Sequence, residues 1–342
     1  MKEVSASRYA AAGVDLNAAA GIKLSIAEIA RETYADGVVS APGGFGGVFD
    51  VDPRREYLIV SSTDSVGTKL RIAQAMARHD TIGIDIVNHC VNDILPAGAE
   101  PMFFLDYIGI GGYDDQIISE IVSGVAAGCL DNGCALIGGE TASLPGIYHG
   151  DDYDLVGFIV GRVHRNELLD PYSTGAGDVL IALPSSGLHT NGYSLVRSIF
   201  HTDDDPSSLF DEVPDDGRLL GDALLVPHKS YLRQLKPVLN QIKSMAHITG
   251  GSFAKNVPRA LGGEVGAVIN VNSWSVPPLF DYIQQVGEID EQEMYNVFNM
   301  GVGMIVCAAP EHADSVLHAL GDAWVIGETT VHRGAKGRVA LV

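Results

Sequence analysis

The chain has 342 residues, 46% of them hydrophobic and only 19% charged, with a formal net charge of −21. This composition is that of a compact globular protein, not a disordered or coiled-coil one, and the length predicts two domains. So acidic a chain excludes non-specific binding to nucleic acid or to anionic membranes, both of which need basic patches.

Residues 1–40 read as a terminal arm with a short helix in which Ile22, Ile26 and Ile29 recur at helical spacing. Gly43-Gly44-Phe45-Gly46-Gly47 is too glycine-rich for regular structure, and is either a linker or a flap over phosphate. The apolar run Tyr57–Ser62 predicts a strand that delivers Asp64, and a helix is expected from Asp80 to Leu95, ended by Pro96 and Gly98. A strand over Met102–Ile110 and a helix over Asp114–Asn132, capped by Gly133, come next. Ala135–Ile137 reads as a short strand running into Gly138-Gly139-Glu140, and Leu155–Val163 as another strand.

Turn chemistry between Asn166 and Gly177 predicts a boundary, giving domains 1–168 and 169–342. The second half opens with a strand at Val179–Leu183. Helices are expected near Gly192–Phe200, Tyr231–Ile242, Ser252–Leu261 and Pro278–Gln285, with strands near Val265–Val271, Met304–Ala308, Ala323–Gly327 and Arg338–Val342. His201–Arg218, rich in Asp, Pro and Ser, reads as a surface loop. The fold class is therefore mixed α/β (α+β) in each half, without the doubly wound pattern of a dinucleotide fold.

Three acidic signatures stand out: Thr63-Asp64-Ser65-Val66-Gly67-Thr68-Lys69, Asn92-Asp93, and Gly138-Gly139-Glu140-Thr141-Ala142. Carboxylates beside small residues, with a lysine and a glycine loop nearby, suit metal-bound polyphosphate, because Mg²⁺ takes hard oxygen ligands and bridges carboxylates to phosphates. The plainer reading of Asp64 and Lys69 is a surface ion pair, worth little. At ~100° per residue, Asp85, His89, Asn92 and Asp93 share one face of the predicted helix; the alternatives are a solvated face and a functional one. His89 reads as a structural hydrogen bonder. Ser185-Ser186-Gly187-Leu188-His189-Thr190-Asn191-Gly192 and His247-Ile248-Thr249-Gly250-Gly251-Ser252 each lead into a predicted helix, where amides bind phosphate or simply receive a cap. His189 is read either as a proton-transfer group or as a structural or phosphate-contacting one. Cys90, Cys129, Cys134 and Cys307 lack zinc-finger spacing and read as reduced core or helix residues. No apolar run approaches the ~20 residues that span a bilayer, and Met1–Ser5 lacks a signal peptide's apolar core, so a cytoplasmic setting is expected.

In their collinear order these segments resemble the aminoimidazole ribonucleotide synthetase (phosphoribosylformylglycinamidine cyclo-ligase) family. The match runs from Tyr9-Ala10-Ala11-Ala12-Gly13-Val14-Asp15 to Phe298-Asn299-Met300-Gly301-Val302-Gly303-Met304. It passes through His79–Asp85, Gly98-Ala99-Glu100-Pro101, Phe103–Tyr107, Tyr148-His149-Gly150 and His189–Arg197. The resemblance implies two α/β domains and a homodimer whose amino-terminal sheets form a shared barrel. It implies ATP as co-substrate, Mg²⁺, and closure of formylglycinamidine ribonucleotide to aminoimidazole ribonucleotide with release of ADP and phosphate. Phosphorylation of the formyl oxygen would create the electrophile that the amidine nitrogen attacks.

On this resemblance Asp64, Asp93 and Glu140 organise the metal, Lys69 stabilises phosphate, and Gly43 to Gly47 (Gly43, Gly44, Phe45, Gly46, Gly47) lie near the nucleotide. Ser186, Gly187, His189, Asn191, Thr249, Gly250 and Gly251 hold the ribonucleotide and its 5′-phosphate, with His189 and Asn191 orienting or deprotonating it. The sequence departs from the family pattern at Ser65, Ser143 and Ser252, and a nucleotide-associated lysine falls at Ala27, one turn after Lys23. Ser252 stands where the family commonly has glycine, and a serine at a helix start can still cap. Selenophosphate synthetases need an amino-terminal Cys, and the hydrogenase-maturation relative a carboxy-terminal one. Here the first cysteine is Cys90 and the sequence ends Ala340-Leu341-Val342. A catalytically silent nucleotide-binding homodimer is the alternative of a different class.

Overall fold

Alternation of inward and outward residues, strict along Tyr153–His164 (β5) and over the first five residues of Tyr57–Ser65 (β2), makes two long antiparallel neighbours, paired from Tyr57↔His164 to Ser65↔Val156. They belong to a five-stranded sheet with Gly47–Phe49 (β1), Glu100–Ile110 (β3) and Ala135–Ser143 (β4), ordered β1-β2-β5-β3-β4. Only the edge pair β3–β4 is parallel. A second, six-stranded sheet contains Val179–Pro184 (β6), Ile242–His247 (β7), Val265–Ile269 (β8), Val302–Ala308 (β9), Trp324–Val331 (β10) and Val339–Leu341 (β11), in the order β11-β8-β10-β6-β9-β7. This computed structural model describes residues 8–12, 26–34, 36–40, 44–112, 114–334 and 337–342. The mixed α+β class expected from the sequence is what forms, and no helix among the described residues is long and apolar enough to cross a membrane.

The helices Asp80–Ile94 and Asp115–Asn132 cover the inner face of the first sheet. They approach backbone to backbone: a Cβ on Gly83 would lie 2.3 Å from Ile121 O, and one on Gly124 2.0 Å from Asp80 O. The second helix starts at Asp114, whose carboxylate accepts from Gln116 N and Ile117 N, and ends at left-handed Gly133. Inside, Ile82, Ile86, Phe104 and Ile159 are fully buried, each worth about 1.5–3 kcal/mol of transfer free energy. The outer face differs: Ile59, Phe103, Leu105, Val156, Phe158 and Val160 are all at least partly open to solvent.

Several expectations need correction. The helix placed over Tyr231–Ile242 is one turn, Leu232–Leu235, followed by a 3₁₀ segment. Pro237 removes an amide donor there, and Ile242 begins β7. The helix expected over Ser252–Leu261 ends at Asn256 and tightens to 3₁₀ around Pro258. β4 runs on to Ser143, so Gly138-Gly139-Glu140 lies inside a strand, not past its end. Helices at Lys69–Ala75, Glu291–Val297 and Pro310–Leu320 were not anticipated. Near the amino terminus a helix spans 26–31, yet Ile26 and Ile29 are 58% and 65% exposed; Ile22 lies outside the described residues. The predicted surface loop 201–218 contains a 3₁₀ turn that buries Leu209.

Candidate functional site

The polar face of the Asp80–Ile94 helix is not solvated. It is the seam against which the second half of the chain packs. Asn88 Nδ2 donates to His228 O (2.6 Å) and Asn92 Nδ2 to Lys229 O (2.8 Å), while Tyr231 N donates to Asn92 Oδ1 (3.0 Å). Side-chain amides thereby satisfy the backbone of an irregular segment that would otherwise carry buried unpaired groups. These contacts bring the Asp80–Ile94 helix and the 3₁₀ turn Leu95–Ala97 that follows it against β7 of the second sheet.

Two carboxylate–imidazole pairs meet there. Asp64 Oδ2 lies 2.9 Å from His89 Nε2, and Asp93 Oδ1 lies 2.9 Å from His247 Nδ1. The other oxygens accept from Ser65 N (2.7 Å) and Ser62 Oγ (3.2 Å). The His89 and His247 rings are 5.2 Å apart, edge to face. Both imidazoles are buried, while the Asp64 side chain is 39% and that of Asp93 14% exposed, so the acids face outward from a fixed backing.

The protonation pattern follows from the neighbours. Burial is the largest single influence on His89 and disfavours its charge, but Asp64, Asp93 and Asp85 together outweigh it and raise its pKa to about 9. As an imidazolium it donates from Nε2 to Asp64 and from Nδ1 to Thr190 Oγ1 (2.8 Å). For Asp93, burial again opposes charge and is again outweighed, by His247, His89 and Arg259, which bring it down to about 2. Asp64 is lowered in the same way, mainly by His89 against burial. Burial keeps His247, His228 and His189 neutral, their pKa values being lowered. His247 then donates from Nδ1 to Asp93 and accepts at Nε2 from His228 Nε2 (3.0 Å).

Hard oxygen donors with imidazole support fit Mg²⁺ at Asp64 and Asp93, since each carboxylate oxygen keeps a second lone-pair site. The ligand atoms of His189, His228 and His247 also lie within 4.8 Å of one another. However, the His189 and His228 rings stack at 3.9 Å with an interplanar angle of 20°, which sends their in-plane lone pairs out in parallel instead of to one point. That cluster is a hydrogen-bonded backing for the acids.

The structure reassigns several predicted residues. Lys69 is fully buried: its Nζ lies 2.8 Å from Asp85 Oδ2 and donates to Val226 O (2.8 Å). An ammonium so enclosed is a bolt between the two halves, not a phosphate contact at a turn. His189 is 1% exposed and its Nε2 already accepts from Ser186 N (3.2 Å), so it holds the Ser186–Gly187 turn and has no open path for proton exchange with substrate. Ser252 caps nothing: Gly251 is the N-cap, and Ser252 Oγ donates to Phe298 O (2.5 Å).

Glu140 does not join Asp64 and Asp93 within one chain. The register Glu140↔Tyr107↔Val156↔Ser65 puts it three strands away, about 14 Å, on the outer face of the sheet. Gly44 to Gly47 pass beside the acids, with a Cβ on Gly46 only 3.5 Å from Asp93 O; Gly43 lies outside the described residues. The two predicted phosphate turns adjoin, because a Cβ on Gly250 would sit 3.2 Å from Asn191 Oδ1. Asn256 Nδ2 ties the second turn together through Thr249 O (3.2 Å) and Ser252 O (2.9 Å).

Sequence reasoning missed Ser62, His228, His247 as a partner of Asp93, and Arg259. The Asp93–His247 pair is separated by 154 residues, and no local pattern marks it. A groove of about 850 Å³ lies elsewhere, lined by Tyr57, Arg162, Lys236 and Lys243 among others. Tyr57 stands seven residues before Asp64 along β2, about 23 Å away. Groove size is a poorer guide here than the convergence of charged groups.

Comparison with known proteins agrees across the chain. Residues 43–163 match the N-terminal domain, and residues 175–340 the C-terminal domain, of the AIR synthase related proteins. The phosphoribosylformylglycinamidine cyclo-ligase of Thermoanaerobacter pseudethanolicus is 47% identical over 331 residues, covering 95% of this chain and 98% of that protein. That of Bifidobacterium animalis subsp. lactis is 48% identical over 317 residues, covering 91% and 92%. Among solved structures, AaThiL complexed with AMPPCP and TMP superposes with a TM-score of 0.64 at 14% identity, covering 92% of this chain and 91% of its own. The hydrogenase maturation protein HypE in complex with ATP gives 0.62 at 15% identity, covering 86% and 83%. These two establish likeness of fold.

Proposed function

The chain belongs to the phosphoribosylformylglycinamidine cyclo-ligase family, and from that premise we infer that it closes formylglycinamidine ribonucleotide to 5-aminoimidazole ribonucleotide with ATP, in de novo purine biosynthesis. The observation that carries the reading at residue level is the pairing of Asp64–His89 beside Asp93–His247 under the Gly44–Gly47 loop. No observation favours the silent alternative.

Asp64 and Asp93 would hold Mg²⁺, which when bound neutralises phosphate charge. The chain's own part is positioning. His89 and His247 fix the two carboxylates, so little reorganisation is needed when a polyphosphate arrives. That AaThiL was solved with AMPPCP and HypE with ATP supports a bound nucleotide, and the acids that would receive it, Asp64 and Asp93, lie within 1–168. In the second half, within 169–342, the adjoining turns Ser186–Asn191 and Thr249–Gly251 suit the substrate's 5′-phosphate, with exposed Gly250 allowing close backbone approach.

We further propose a cytoplasmic homodimer in which a second copy covers the apolar outer face of the first sheet and completes the shared barrel. An open sheet face carrying Phe158 (41% exposed), Leu105 and Val160 is an association surface. There each copy would present Glu140 across the interface, not beside its own Asp64. The direct test is turnover of purified formylglycinamidine ribonucleotide with ATP and Mg²⁺. Formation of the imidazole with stoichiometric ADP is expected, and nucleotide binding without product would reject the reading.

A further inference from the structure

Arg259 lies in the 3₁₀ turn Val257–Ala260 of the second half, yet its side chain reaches the glycine loop of the first. Its guanidinium carbon sits 3.5 Å from the centroid of the Phe45 ring, and Nη2 donates to Gly44 O (2.5 Å). On the other side Nη1 donates to Asn256 Oδ1 (3.1 Å), and Asn256 in turn holds Thr249 O and Ser252 O. The remaining donor, Nε, is buried without a partner. One planar cation therefore bridges the loop over Asp93 and the turn beside Asn191.

Its charge acts on the acidic pair: Arg259 is among the groups that stabilise the Asp93 carboxylate, while burial lowers the pKa of the guanidinium itself, an effect that Asp93 and Asp64 oppose. Phosphoryl transfer needs a fixed cation against the equatorial oxygens of the moving group. Lys69, the obvious candidate by sequence, is enclosed with Asp85 and cannot reach. A guanidinium suits the task better in any case, since its fork matches two phosphate oxygens and its face can remain stacked on an aromatic ring.

We propose that Arg259 is the phosphoryl-contacting cation of this site. Stacked on Phe45 and steadied by Asn256, it turns its unpaired Nε–H and its Nη2–H from Gly44 O toward the terminal phosphate of a bound nucleoside triphosphate. The proposal rests on the cyclo-ligase reading for the identity of the phosphoryl acceptor, but not for the contact itself.

The test uses the full-length protein with Arg259→Gln and Arg259→Lys, each checked for folding by circular dichroism. Two quantities are measured: the ratio of dissociation constants for ADP and a methylene-bridged ATP analogue, and kcat and KM for ATP. The wild type should favour the triphosphate. Both variants should lose most of that preference, and kcat should fall about 10²–10³-fold, as when one preorganised transition-state donor is removed. Lysine should recover little, because an ammonium lacks the fork. A wild-type ADP-to-triphosphate ratio with kcat within about threefold in either folded variant would overturn the assignment. If the wild type binds triphosphate preferentially but forms no imidazole, the functional reading fails while the Arg259 contact is still decided by the binding ratio.

Discussion

Replacing Lys69 by methionine separates a buried bolt from a phosphate ligand. In the native chain both Lys69 and Asp85 have no exposed side-chain surface, their closest approach is 2.8 Å, and Asp85 Oδ1 also accepts from His228 N (2.6 Å). Lys69→Met keeps the aliphatic stem but leaves a carboxylate in the core with one backbone donor. Breaking one side of a buried pair costs about 3–5 kcal/mol. With a urea dependence of about 3 kcal/mol per molar, the unfolding midpoint should drop by roughly 1–1.7 M. Because Asp85 and Val226 O tie the two halves together, the loss should appear in the transition that separates them, followed by fluorescence of Trp274 and Trp324. Lys69→Met/Asp85→Leu should restore most of the midpoint, since an apolar replacement of a buried pair is often neutral. In the folded single variant, KM for ATP should stay within about threefold, because no uniform binding contact is removed. An unchanged midpoint together with a hundredfold loss of ATP-dependent turnover would refute this reasoning and return Lys69 to the phosphate.

Asp93→Asn should abolish most Mg²⁺-dependent turnover while keeping the fold; normal rates at limiting and saturating magnesium would remove Asp93 from the site. His89 has a folded pKa of about 9 against an unfolded value near 6.5, so its contribution, on the order of 3 kcal/mol, is complete below about pH 6.5 and disappears as pH rises through 9. Asp93, lowered to about 2, contributes fully above its unfolded value near 3.9 and is lost as pH falls through 2. Metal-free unfolding midpoints of His89→Gln should therefore be flat between pH 6.5 and 9 where the wild type declines; parallel curves would contradict the assignment. Phe158→Asp, on the outer face between Thr63 and Leu105, should convert a dimer to monomer by sedimentation, and an unchanged mass would place the interface elsewhere. Gly250→Val should press on Asn191 and weaken ribonucleotide binding far more than binding of an ATP analogue; equal weakening in paired titrations would show that the two anion sites are wrongly divided.

How legible an element was depended on whether its determinants were local. The Asp115–Asn132 helix could be read because Asp114 and Gly133 cap it within the same stretch of chain. β7 could not, because Ile242–His247 is held as a strand by pairing with β9, about sixty residues further on, while its own letters pass equally well for the end of a helix. β4 extends through two glycines that local propensity would place in a turn. Pairing with β3, Leu105↔Gly138 and Asp106↔Gly139, holds them in the sheet, and the bare Gly139 leaves room for the Asp106 side chain, whose Oδ1 a Cβ there would meet at 1.8 Å.

The same distinction explains the site. Asp64 and Asp93 stand in short motifs of small and polar residues, so their chemistry could be guessed and the fold does set them together. What the fold adds is the meaning of their neighbours. A lysine five residues after an acid reads as a partner for phosphate, but the turn at Gly67 (φ +71°) sends it inward to meet Asp85 at the seam, where it also reaches Val226 O of the second half. Nothing in the sequence around Val257-Pro258-Arg259 marks the arginine, yet folding lays it on Phe45 from the other half of the chain, 215 residues from its Gly44 partner. In a protein of net charge −21, anionic ligands need positive charge that the surrounding acids cannot quench. A guanidinium clamped between an aromatic face and an asparagine keeps one unpaired donor near those acids, and an exposed lysine would not.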